Sequence, residues 1–282
     1  MGVDAGMIND HTPVKLAGST HPFLRAANVI QFGADATRTG LVATDHAEDV
    51  AALLATLLRP RQLSWVVNQL SALLGGAAAR SLVDDLVSYR ILVPAVKPAV
   101  LLVGCGALTA SLATQLGESG LHVRTPARGE ALSRFLLRTD RWLPVAAVNA
   151  TAQLGELAAL TRMRHGPVLP VTQADARVVV GPVCARPGPC PLCARLYLLD
   201  RDANWAVVEQ HVPLNAHGEA ATATAGVAFA AVALRRLAGV PDPPGVSAPT
   251  PAPGQLTVVD PFAPAPLATA SVSSHPDCPV CF

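Results

Sequence analysis

Aromatic side chains are scarce, only 4% of the 282 residues, and charged residues make up just 15%. A core poor in Phe, Trp and Tyr has to be assembled from many small aliphatics. With 51% hydrophobic residues, mostly Ala, Leu and Val, there are enough for one large domain or two ordinary ones. An excess of one charge sign is also missing. A net charge of +1 argues against a general nucleic-acid binder, whose phosphate contacts need a clear basic excess. No stretch of about 18 apolar residues is free of Gly, Pro or charge, so no membrane span is predicted. Residues 1–17 hold Asp4, Asp10 and His11 and lack the apolar core of a signal peptide. Cysteine is used six times, in a way that suits a reducing compartment, by default the cytoplasm.

Four of those cysteines form a repeated pattern, Cys190-Pro191-Leu192-Cys193 and Cys278-Pro279-Val280-Cys281. A two-residue spacer lets both thiolates of one knuckle face a single ion, and two knuckles complete a closed tetrahedral zinc site. The proline after each first cysteine restricts the turn. The alternatives are a redox pair or four buried free thiols. Zinc on Cys190, Cys193, Cys278 and Cys281 accounts for the pairing of two like knuckles, and it pins the last residues onto the middle of the chain.

Along the chain, residues 1–20 show no periodicity and read as a loose tail. Residues 21–97 begin with two β-prone runs, 28–32 and 39–44, around Gly33-Ala34-Asp35, a hairpin signature. Three helices follow, the first capped by Asp45 and running to about Leu58. The second carries Leu63, Val66, Val67, Leu70 and Leu74, and the third extends from about Ala77 to Tyr89. This is a winged-helix layout. Such a unit often reads DNA with its third helix, but Arg80, Asp84, Asp85 and Arg90 make that helix nearly neutral. A small docking domain without a ligand and a peptide-recognition domain are the other readings. For a peptide, the edge strand at Leu41, Val42 and Ala43 supplies backbone partners, while Arg80, Asp84 and Arg90 border the groove.

Residues 98–282 open with the buried run 100–103, the turn Gly104-Cys105-Gly106 and a helix, the start of a nucleotide-binding α/β unit. Gly104 allows the tight turn, and Gly106 lets backbone approach a phosphate at the helix N-terminus. Thr109 occupies the third glycine slot, and the next strand ends at Arg124 instead of an acid. Further strands at 145–148, 168–171, 177–180 and 255–259 alternate with helices, which predicts a mostly parallel sheet. An Ala-rich helix spans 222–237, and proline-rich connectors surround it. The fold class is therefore α/β, a Rossmann-like domain closed by a structural zinc site of four cysteines and preceded by a small α+β winged-helix domain.

Residues 98–282 resemble the ThiF/MoeB superfamily, adenylating enzymes related to ubiquitin activators. The glycine turn, the two knuckles and the helix residues 225–231 carry the resemblance. More narrowly, Val180-Gly181-Pro182, the first knuckle, Asp200-Arg201-Asp202 and His275-Pro276-Asp277-Cys278 look like actinobacterial ThiF-like proteins of thiazole/oxazole-modified peptide pathways. In that group a PqqD-like peptide-recognition element precedes the ThiF-like part, and residues 21–97 have that look. The resemblance implies a ribosomal precursor (leader) peptide as ligand and a YcaO-type cyclodehydratase as partner; the oligomeric state stays open, a homodimer among the alternatives, while charge and hydropathy speak against nucleic acid and membrane.

The same resemblance exposes departures. Active relatives hold the ATP ribose with an acid after the second strand and carry Asp-x-Thr-Asp-Asn after a later one. Here those positions read Arg124 and Asn149-Ala150-Thr151-Ala152-Gln153. Only Thr151 survives beside Gly104 and Gly106, leaving a vestigial nucleotide site without a hard oxygen ligand for Mg²⁺. Arg134 and Arg138 are candidate phosphate clamps. Cys105 and Cys184 are candidate thioester nucleophiles, against burial as small apolar side chains. His211 and His217 read as ordinary loop residues. The leading expectation is a non-catalytic ThiF-like scaffold that presents a peptide to a modifying enzyme. Its rivals are an active adenylyltransferase and a structural or regulatory protein without a peptide ligand.

Overall fold

The computed structural model describes residues 8–211 and 218–282. The chain divides into two compact units, one ending at Val96 and joined by Pro241–Ala248, the other made of Lys97–Val240 and Pro249–Phe282.

In the first unit, β1 (Pro13–Leu16) lies between two partners that appear later in sequence, β5 (Arg61–Gln62) and β6 (Leu92–Pro94), both antiparallel to it. Val14 and Leu16 are buried, so the described part of residues 1–20 is a central strand and not a loose tail; residues 1–7 lie outside the described residues. Two alternating apolar side chains in a Thr/Gly-rich stretch are a faint signal, and the pairing that fixes them is long-range. A second sheet, β2 (Pro22–Ala26), β3 (Val29–Phe32) and β4 (Leu41–Ala43), is antiparallel in that order, with β4 at an edge. The loop between β3 and β4 contains a single helical turn, α1 (Ala36–Thr39), whose first amides are capped by Asp35.

Helices α2 (Ala47–Ala55), α3 (Leu63–Leu74) and α4 (Gly76–Ser88) cover these sheets. The residue capping α2 is His46 without a side-chain bond, so Asp45 does not take the capping role. Ile30, Phe32, Leu54, Leu57, Leu70, Leu86 and Leu92 are fully buried in one core. Each such side chain contributes about 1.5–3 kcal/mol by leaving water, which offsets the scarcity of aromatics. The strap Pro241–Ala248 completes this unit. Pro244 is buried, Gly245 abuts Arg38, and the Arg90 guanidinium donates to the Val246 carbonyl at 2.6 Å.

The second unit is built on a seven-stranded sheet in the order β13-β12-β11-β10-β9-β7-β8. Its strands are β7 (Ala99–Gly104), β8 (His122–Arg124), β9 (Val145–Val148), β10 (Val168–Ala174), β11 (Arg177–Val180), β12 (Gln255–Val259) and β13 (Leu267–Ser271). Strands β8, β7, β9 and β10 run parallel, and β10 to β13 are joined antiparallel. The expectation of a mostly parallel sheet is thus half right. After β10 the chain turns back through Asp175, at φ +51°, instead of crossing over through a helix.

Helices α5 (Ala107–Glu118), α6 (Leu132–Arg138), α7 (Leu154–Thr161), α8 (Pro191–Arg201), α9 (Trp205–His211) and α10 (Ala220–Leu237) complete the unit. The described residues contain one helix, α10, with the length and hydropathy of a membrane span. Its Gly226, Val227, Ala230, Ala231 and Leu234 are buried in the core it shares with α5 and the sheet. A Cβ on Gly226 would strike Val178 of β11 at 2.5 Å, so the glycine is what lets α10 approach the sheet.

Candidate metal centre and the glycine turn

Cys190 is the residue before α8, and Pro191 is the first residue inside it, where a missing N–H costs nothing. One turn later Cys193 points to the same side, and its amide bonds the Cys190 carbonyl at 3.0 Å. The second knuckle repeats the turn at the far end of the chain, Cys281 N–H to Cys278 C=O at 3.2 Å. The four sulfurs lie within 4.8 Å of one another. Three of the separations are 3.7 Å (Cys190–Cys193), 3.5 Å (Cys190–Cys278) and 3.5 Å (Cys193–Cys281). A tetrahedral ion with metal–sulfur bonds of about 2.3 Å holds its sulfurs about 3.8 Å apart. Cys190, Cys193 and Cys278 are buried and Cys281 is partly exposed, so the site is closed with one side near solvent. Burial, reinforced by the adjoining thiols, pushes the Cys190 thiol up; for Cys281 burial is outweighed by hydrogen bonds from Cys193 and Cys190, which bring it down to about 7. Four sulfurs packed this closely can ionise together around a cation, and they can hold a metal ion.

A supporting set of side chains fixes the second knuckle. His275 is 2% exposed; its Nδ1 accepts from the Asp277 amide at 3.1 Å, so Nε2 carries the proton and donates to Asp200 at 2.8 Å. Tyr197 packs edge-on against the His275 ring at 4.6 Å and bonds Ser273 at 2.9 Å. Ligand-orienting partners of this kind are a regular part of metal sites. The sequence contained both Asp200 and His275 within quoted motifs, but nothing local says that they meet.

The glycine turn has the shape the sequence suggested. Gly104 has φ +131°, and a Cβ there would run into the Val148 carbonyl; Gly106, at φ +89°, precedes α5. Thr109 folds back onto the Cys105 carbonyl at 3.0 Å. Thr151 opens a short 3-10 turn after β9. Asn149, at φ +47°, accepts the Gln173 amide at 2.9 Å and so joins β9 to β10. Arg124 stands exposed at the end of β8.

Other candidates divide. Glu130 grips Arg138 through two bonds, of 2.6 and 2.9 Å, so Arg138 is committed away from phosphate. Cys184 is buried, its thiol is pushed well up by burial, and it donates to the Pro182 carbonyl at 3.2 Å, which leaves it no nucleophilic role. Cys105, expected to be buried, is exposed. His211 ends α9, and its Nδ1 contacts the Val207 carbonyl at 2.8 Å; His217 lies outside the described residues.

Of the peptide-site candidates, Leu41 and Ala43 are exposed, and Val42 packs partly into the core. Arg80 pairs with Asp10 at 3.0 Å, Arg90 is held by the strap, and Asp84 is exposed. Leu82, Val83 and Leu86 all face inward, so the apolar stripe of α4 is spent on the core. Arg164 went unnoticed in the sequence. It is 6% exposed and its guanidinium donates to the Leu136 carbonyl at 2.8 Å, closing the C-terminus of α6.

The sheet, the glycine turn and the four-cysteine cluster belong to an α/β fold that solved heterocyclase structures share. Among solved structures, a heterocyclase in complex with substrate and cofactor aligns with 96% of this chain at TM-score 0.58 and 16% identity. The heterocyclase TruD aligns with 96% at TM-score 0.55 and 16% identity. This chain spans 39% and 43% of the length of those two proteins. MccB of E. coli, in a structure with ATP, aligns at TM-score 0.49 and 11% identity, covering 96% of this chain and 100% of its own. No protein-family model and no curated protein matches the sequence.

Proposed function

We propose that this chain is a non-catalytic ThiF-like scaffold that binds the leader of a ribosomal precursor peptide and presents it to a separate modifying enzyme of the YcaO type, in the cytoplasm. The observation that carries this reading is the open edge of β4. Thr44 donates to Asn28, which makes 28/44 and 30/42 the bonded pairs of the β3–β4 ladder. The N–H and C=O groups of Leu41 and Ala43 therefore face away from β3, where an extended peptide can add as a further strand. A second support is the fold, shared with a heterocyclase described with its substrate and cofactor.

In this reading the four cysteines hold zinc and make it a structural ion, because a closed four-thiolate set leaves no position for water or substrate. Arg124, Asn149 and Ala152 stand where active relatives carry the acids that bind ATP and Mg²⁺, so the nucleotide site is vestigial. Residues 21–97 act as the winged-helix recognition element, with Arg80, Asp84 and Arg90 bordering the groove.

The test uses the full chain, because a fragment starting at residue 21 loses β1 from between β5 and β6. A panel of synthetic precursor leaders is titrated by fluorescence anisotropy. One class binds at micromolar concentration, and Ala43→Pro, which removes an outward N–H without touching the β3 ladder, weakens it at least tenfold, or about 1.4 kcal/mol. Unchanged binding by the variant refutes strand addition, and a panel without binders refutes the scaffold.

A further inference from the structure

The end of the seven-stranded sheet opposite the glycine turn carries a cleft of its own. Strands β7, β9 and β10 are parallel, and Gly104 closes β7 at their C-terminal ends. The loop 139–144 that enters β9 and the loop 162–167 that enters β10 lie at the N-terminal ends. His165 and Gly166 both donate their amides to the Arg141 carbonyl at 2.9 Å, which ties one loop to the other. Beside this junction the last turns of α6 and α7 border a cleft of about 260 Å³. Leu136 and Leu137 of α6, Leu160 of α7 and Met163 give it an apolar wall, and Arg141 and Arg164 supply its polar groups.

The two arginines are incompletely answered. Arg164 is buried, and its terminal nitrogens donate to the backbone carbonyls of Leu136 and Asp140, which are neutral. Its Nε is enclosed and has no hydrogen-bond partner among the described residues. Burial works against its charge, and only the Asp140 carboxylate offsets this from nearby. That carboxylate is itself exposed and accepts the Trp142 amide at 3.0 Å. Arg141 stands exposed, and among the described residues its side chain pairs with no carboxylate. A buried guanidinium held mainly by neutral groups is completed by an anion close to it. Leu137 and Met163, 61% and 57% exposed, leave the apolar wall open to water.

We infer that this cleft binds a small carboxylic acid with an apolar chain of about four to eight carbons. A dry cavity of about 150 Å³ takes up benzene, so this larger cleft has room for such a chain. The carboxylate is received by the free fork of Arg141 and sits in the field of Arg164, while the chain covers Leu137, Leu160 and Met163. The balance of the lining selects this class. Four apolar side chains around one accessible guanidinium suit a single negative charge on an apolar body, whereas a phosphate or nucleotide asks for more donors and less hydrocarbon. A wholly apolar ligand would bury Arg164 further without answering its charge. The cleft lies at the other end of the parallel strands from the glycine turn, and the inference is independent of the peptide reading.

Methionine gives a local probe. Of Met1, Met7 and Met163, only Met163 is among the described residues, and it lines the cleft. The full chain with isotope-labelled methionine methyl groups is titrated with octanoate, and with octanol as the neutral control of equal length; Met163→Leu assigns the signal. Octanoate shifts the Met163 methyl with half-saturation below about 1 mM, and octanol binds at least tenfold more weakly. Arg141→Gln changes an exposed side chain, so the melting temperature stays at the wild-type value, octanoate binding weakens at least tenfold and octanol binding is unaltered. A Met163 methyl unmoved by about 3 mM octanoate overturns the inference. So does equal binding of acid and alcohol, or octanoate binding that Arg141→Gln leaves intact. A dipeptide ending in leucine that displaces octanoate at lower concentration also overturns it, by assigning the cleft to a peptide C-terminus.

Discussion

His275 donates its Nε2 proton to Asp200 at 2.8 Å, joining residues 75 positions apart. The bond holds the second cysteine knuckle against α8, which begins at the first. His275→Ala removes a fully enclosed ring and leaves a cavity, at a cost of about 2–3 kcal/mol. The expected outcome is a lower melting temperature together with faster metal loss to a chelator. A variant that melts and retains metal like wild type shows that the knuckles hold each other unaided.

Purified protein is expected to contain about one zinc per chain by elemental analysis. Zinc binding of this kind is worth about 10 kcal/mol or more in small peptides. Cys281→Ser removes the ligand nearest to solvent and should lower both metal content and melting temperature. Metal-free protein of unchanged stability contradicts the assignment.

Mg-ATP is expected to find no tight site. Isothermal titration should give nothing stronger than ~100 µM, about −5.5 kcal/mol. A tighter site accompanied by pyrophosphate exchange would mean that Arg124 and Ala152 are no obstacle and that the chain is an adenylyltransferase.

Two neighbouring proline substitutions should separate folding from recognition. Val42 bonds β3 and packs on the core, so Val42→Pro breaks a ladder bond and destabilises the first unit by about 3 kcal/mol. Ala43→Pro alters only the open side. Equal melting temperatures for the two variants would show that β4 is not held in the described register.

The acid limb of the stability profile should carry a contribution from Glu130. Hydrogen bonds from Arg138 and from the Ala127 amide hold its carboxyl down at about 2, against 4.5 when free. A depressed folded value means stabilisation that is present above about pH 4.5 and lost as pH falls toward 2. The pair is at the surface, with Arg138 53% exposed, so the effect is small and weakens with salt. Glu130→Gln should flatten the change of melting temperature across that window; an unchanged slope removes the pair from the account.

The parts of this molecule legible in its sequence are those with a local signal. The cysteine knuckles, the glycine turn and the helices with Leu and Val at helical spacing all lie where pattern put them. What escaped depends on distant partners. β1 is recognisable only once β5 and β6 flank it, and β13 shows no alternation because its five residues are all exposed and sit among prolines. The antiparallel half of the sheet follows from a tight turn at Asp175 that neither composition nor periodicity announces. Exposure of Cys105 and burial of Cys184 depend on what packs above them, and small residues in glycine or proline turns carry no information about that.

The strap has a consequence for the order in which the protein is made. Arg90 and Val246, which it brings together, are 156 residues apart. A ribosome adding about 5–20 residues per second needs roughly 8–30 seconds to cover that distance. The first unit therefore emerges early and stays unfinished, with the site of buried Pro244 open, until most of the chain has been synthesised. During that interval the surface that later buries Pro244 is reachable by chaperones in a form that the finished protein no longer presents.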